Sequence, residues 1–93
     1  MKRKFLPKKD VSVDGKTGNI RAAYLQIGTG AVYDTRELSE GSAYADYDKD
    51  GWLLGIELLG PCEVKVLDKL AKKELAALRR FLLGSPPREL VTS

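Results

Sequence analysis

The sequence predicts an α+β domain: an antiparallel meander sheet of four to five strands, with one or two C-terminal helices packed on one face. Three observations predict it. Short runs of alternating apolar and polar residues, separated by turn formers, fill positions 11–59. Asp50-Gly51 lies between two such runs, a strong hairpin signal because glycine takes the positive φ that the turn needs. From Val64 onward the apolar residues recur at three and four positions instead of two, and strands followed by a helix give the α+β class.

Taken in order, residues 1–9 carry Lys2, Arg3, Lys4, Lys8 and Lys9 and no acid. Pro7 interrupts any helix there, so the segment reads as a flexible basic arm. Val11-Ser12-Val13 reads as a short edge strand, closed by the turn formers of residues 14–19. Residues 22–27 form a half-buried strand with Ala23, Leu25 and Ile27 on one face and Tyr24 and Gln26 on the other. After Gly28-Thr29-Gly30, residues 31–38 read as a second strand with Val32 and Tyr33 as its β formers. Residues 43–48 give a third, on which Tyr47 shares the face of Ala43 and Ala45. Residues 52–59 are apolar except for Glu57 and read as a central strand, ended by Gly60-Pro61.

The stripe of Val64, Leu67, Leu70, Ala71, Leu75, Leu78, Phe81 and Leu82 is one amphipathic helix, or two broken near Lys72. Gly84 stands where a helix C-cap belongs, before Pro86 and Pro87. The domain plan is therefore a basic arm at 1–9, a single sheet-plus-helix domain at 10–84 and a loose tail at 85–93.

At 93 residues the chain fits one domain with a modest core. Its apolar runs fall short of the roughly 20 residues that a spanning helix needs, and no apolar segment follows the basic N-terminus as in a signal peptide. The single Cys62 excludes an intrachain disulfide and suits a reducing, cytoplasmic setting. The net charge of +3 is unevenly spread: residues 1–9 carry +5, residues 34–57 carry −5 and residues 61–83 carry +3.

One motif invites a chemical reading. Asp46, Asp48, Asp50, Gly51 and Glu57 match the spacing of an EF-hand calcium loop, with carboxylates at alternate positions and a closing glutamate. The flanks oppose it, because Gly41 and two serines precede the motif and Gly60-Pro61 follows Glu57 too closely for a helix. The preferred reading is an acidic hairpin turn with no dedicated metal site, on which Asp46, Asp48, Asp50 and Glu57 remain low-grade candidates for a cation. Glu57, alone in its apolar run, is either a pocket carboxylate or, as preferred, a solvent-face residue opposite Tyr44 or another polar cross-strand neighbour.

Catalytic vocabulary is otherwise thin. There is no histidine, and Cys62 has neither a histidine nor a second cysteine to work with. No catalytic residue and no cofactor are expected, and the chain reads as a non-enzyme. Three functional classes remain. The first, preferred, is a protein-interaction or self-association module, with a homodimer first and a companion protein such as a toxin-like partner second. The second is a metal-binding or enzymatic site on the acidic hairpin. The third, not favoured, is nucleic-acid binding through the basic arm and helix, since the sheet is acidic and lacks an aromatic ladder among basic residues.

The segments Ala22-Ala23-Tyr24-Leu25-Gln26-Ile27, Val32 to Leu38, Ala45-Asp46-Tyr47-Asp48-Lys49-Asp50-Gly51 and Leu54-Gly55-Ile56-Glu57-Leu58-Leu59 together resemble a known family. It is the small bacterial and phage family catalogued as domain of unknown function 2283, whose members run A-x-Y-I-x-L, an acidic strand, D-x-D-x-x-G and V-G-I-E-I-L. The resemblance spans about residues 11–70. It implies a compact sheet-plus-helix domain whose acidic turn joins two strands, and it carries over no catalytic residue. The basic N-terminal segment and the long C-terminal helical region depart from the family pattern.

Overall fold

The structure, a computed structural model, describes residues 5–92. Strands β1 (Phe5–Val13), β2 (Ile20–Gly28), β3 (Asp34–Ser39), β4 (Ala43–Tyr47) and β5 (Leu53–Leu58) form an antiparallel sheet in the order β1-β2-β5-β4-β3. A short β6 (Cys62–Glu63) leads into α1 (Val64–Ala71) and α2 (Ala76–Gly84). A 3-10 turn (Arg88–Leu90) and β7 (Val91–Thr92) end the described chain. The expected meander runs through β3, β4 and β5. The β1–β2 hairpin joins it on the far side of β5, so residues 29–33 must cross the ends of β5 and β4 to reach the opposite edge.

That crossing corrects one expectation. Val32 and Tyr33 belong to the crossing segment, not to a strand, and both are exposed. Their β propensity yields to topology: the chain has to span the sheet here before it can pair. Tyr33 anchors back, donating its N–H to the carbonyl of Tyr47 at 2.8 Å.

Alternation then builds the core. Leu25 lies opposite Ile56, and Ala23 and Ala43 both lie opposite Leu58, so these side chains share one face. Between Asp46 and Tyr47 the β4–β5 register slips by one residue, leaving Leu54 as the extra residue of a bulge. The slip brings Leu53 onto the same face as Ile56, so both join the core. Helix residues Leu67, Ala71, Leu78 and Leu82 close over this face. Of the two readings of the apolar stripe, the structure has the two-helix one: α1 ends at Ala71, and α2 begins at Ala76.

Residues 5–9 and 85–92 are built into the fold. Of the predicted arm, residues 1–4 lie outside the described residues, but Phe5 to Lys9 form the first half of β1, with Lys8 opposite Gln26 and Lys9 opposite Leu25. The short edge strand at Val11–Val13 is thus the end of a longer one. The anticipated loose tail is also corrected. Leu90 is 3% exposed within the core, Pro87 is buried, and β7 pairs in parallel with β6. The physical reason is that α2 leaves the sheet face incompletely covered, and Leu90 fills what remains.

Substituting Leu90→Ala should therefore cost about 2–4 kcal/mol, comparable to Leu25→Ala, because both truncate a buried leucine. Urea denaturation of the two variants checks this; a tail without packing would make Leu90→Ala silent.

Candidate functional site

The helices cover one face of the sheet only. On the other face, alternation presents Asp10, Tyr24, Gln26, Glu57, Tyr44, Asp46, Thr35 and Glu37. Two registers place Glu57 between tyrosines: Tyr24 lies opposite it on β2 and Tyr44 opposite it on β4. Glu57 is exposed, as the solvent-face reading anticipates, and of the neighbours left open the structure places Tyr44 opposite it.

Gly55 makes the next link. It sits opposite Gln26 on one side and Asp46 on the other. The Tyr24 ring lies across it, so any Cβ there would collide with the phenol oxygen and ring. Crossing this saddle, the Tyr24 hydroxyl donates to Oδ2 of Asp46 at 3.0 Å. Oδ1 of Asp46 accepts from the Thr35 hydroxyl at 2.7 Å. One carboxylate thereby ties β2 to β3 over the top of β5 and β4. At the rim, Glu37 accepts from the Tyr44 hydroxyl and from the Gly41 N–H, both at 3.3 Å.

The electrostatics follow from this arrangement. Partial burial, then the hydrogen bond to Asp46 and the charges of Asp46 and Glu57, push the Tyr24 phenol up to about 12. Loss of hydration raises Tyr44 too, with Glu37 and Glu57 adding to it. Two phenols held in the protonated form are hydrogen-bond donors near neutral pH, not nucleophiles or bases. The face is thus a hydrogen-bonded, acidic, tyrosine-bearing surface.

The carboxylates of the calcium-like motif are placed for other work. Residues 43–47 and 53–58 are strands, so the flanking helices of an EF-hand are replaced by a hairpin. Asp46 is held by Tyr24 and Thr35. Oδ1 of Asp48 accepts the backbone N–H groups of Asp50 and Trp52, both at 2.9 Å, and so caps the turn. Gly51 completes it with φ of 84°. Asp50 is exposed at the tip and Glu57 stands apart on β5. Among the described residues, no three acidic, histidine or cysteine side chains converge as a metal site.

Cys62 is buried at 1% exposure, and burial raises its thiol, which fits a packing role. The Tyr24–Gly55–Asp46–Thr35 link was not read from sequence. Its signal was there, since an isolated glycine inside an apolar strand marks a close approach.

Basic residues lie on the opposite side of the molecule. Lys65, Lys69, Lys72, Lys73, Arg79 and Arg80 are all exposed on or beside the helices. No helix among the described residues is long and apolar enough to cross a membrane. No family model, curated protein or solved structure matches the chain.

Gly55→Ala should destabilise the fold by about 1–3 kcal/mol by displacing Tyr24. Most of that cost should vanish in a Tyr24→Ala background, as a double-mutant cycle by urea denaturation would show. The raised Tyr24 pKa sets a pH dependence. Because the folded value stands above the ordinary value of 10.0, the neutral phenol favours the fold. That contribution is complete below pH 10, is lost as pH rises toward about 12, and should be absent in Tyr24→Phe. Ultraviolet titration of the phenols alongside stability curves of the two proteins checks it.

Proposed function

We propose that the protein is a non-catalytic interaction module that presents the open face of its sheet to a basic protein partner. The observation that carries this is the hydrogen-bonded array spanning β2, β5, β4 and β3 on an uncovered face. Aromatic residues favour contact surfaces because they supply area at little entropic cost, and tyrosine adds a polar handle. Pre-fixed side chains further lower the cost of ordering on binding.

Charge selects the partner. Asp10, Glu37, Asp46 and Glu57 share this face with Lys8, so the surface is acidic on balance. Two copies meeting face to face across a two-fold axis would bring carboxylates together. A copy docking its basic helices on the sheet of the next would make a head-to-tail contact, which builds rings or open-ended chains and not a dimer. Both considerations favour a different protein over the homodimer. The resemblance to domain of unknown function 2283 rests on the quoted residues alone and adds no biochemistry to this reading.

Titrating the protein with a short peptide of alternating lysine and tyrosine should shift the amide signals of residues around Tyr24, Tyr44 and Glu57. The binding should weaken with salt and fall about tenfold or more in Glu37→Lys/Glu57→Lys. Shifts centred on residues 48–51, or binding indifferent to that double substitution, would refute the proposal. Sedimentation of the protein alone should give a monomer; a dimer at low salt would return self-association to first place.

A further inference from the structure

The sheet has a second feature that the open face does not use. β3 is one of its two edges, so the outer side of its backbone pairs with no strand among the described residues. Beside that edge, on the helix side, a groove of about 350 Å³ lies between β3–β4 and α1. Leu38, Tyr47, Val66 and Leu70 form its floor, each half-buried against the core. Lys69 and Lys73 stand on its helix rim, exposed and without an ion pair among the described residues. The neighbouring lysines are already engaged, Lys65 with Glu63 at 3.0 Å and Lys72 with Asp68 at 3.7 Å. Glu37, the acid at the opposite rim, turns its carboxylate to Tyr44 and Gly41.

We propose that this groove takes an extended segment of another protein, added beside β3 as a further strand, with an apolar side chain flanked by carboxylates. The free edge supplies backbone hydrogen bonds, the usual source of affinity in strand addition. Side chains of an added strand alternate, so every second one faces the helix side. The apolar floor receives one of these, and the ammonium groups of Lys69 and Lys73 receive carboxylates two positions to either side of it, on the same face of the strand.

The other edge is a poor alternative. Both edges carry charge and an irregular register, but in β1 Pro7 has no N–H to offer. β3 contains neither proline nor lysine. The groove and the open face prefer partners of opposite charge, so the two proposals stand or fall separately.

The test uses the full chain, isotopically labelled, and a capped heptapeptide with aspartate, leucine and aspartate at positions 2, 4 and 6 and threonine between them, so that the three share one face. Saturable amide shifts confined to residues 34–39 and 66–73 are expected. Lys69→Glu/Lys73→Glu should weaken binding about tenfold or more. N-methylation of alternate peptide amides should abolish it, and a lysine-for-aspartate peptide should not bind. Absence of saturable shifts up to about 1 mM peptide would overturn the proposal. So would undiminished binding of the N-methylated peptide, or shifts mapping to β1 or the open face. Shifts at residues 34–39 that follow protein concentration without peptide would make a second copy the occupant and overturn it equally.

Discussion

Strand β5 is paired on both sides, with β2 along one edge and β4 along the other, and everything else in the domain is arranged around that fact. A central strand in a one-sided sheet must send its residues alternately into the core and toward solvent. Ile56 and Leu58 go inward and are fully buried, while Gly55 and Glu57 go outward. The pairings of Leu25 with Ile56 and of Ala43 with Leu58 then fix the registers of the two neighbours. A slip of one residue in β5 would bury Glu57 and expose the leucines, so hydrophobic burial defends the register strongly.

The same registers assemble the outer face. Tyr24, Tyr44 and Glu57 are brought into line by the requirement that Leu25, Ala45 and Ile56 meet underneath them. The open surface is thus a by-product of core packing in its layout and specific in its chemistry. An alanine at position 55 would serve the core equally well, but it would expel Tyr24 from its seat. Glycine weakens a strand interior, and here that weakness is offset by the ring that covers it and the hydrogen bond beyond it.

The acidic hairpin shows how one spacing serves two chemistries. Alternate aspartates before a glycine suit a calcium loop, where all carboxylates turn inward on an ion. They also suit a strand that ends in a turn. Asp46 then lies on the outer face, Asp48 folds back onto the backbone N–H groups of the turn, and Asp50 points into water. The flanking residues decide between the two, since Gly41 and Gly60-Pro61 leave no room for helices.

The sequence by itself determined the α+β class, the faces of β2 and β4, the hairpin at Gly51 and the apolar stripe of the helical region, while leaving open whether that region was one helix or two. Each of these depends on local periodicity or on a residue with restricted or unusual backbone freedom, and both are legible in a linear string. Tertiary structure alone decided that residues 29–33 cross the sheet, that β2 pairs with β5, that Phe5 to Lys9 continue an edge strand and that Leu90 enters the core. It also decided that Tyr24 would reach Asp46, 22 positions away. Those outcomes depend on which surfaces remain uncovered once the core has formed. That is a property of the assembled layers, and no window of neighbouring residues contains it.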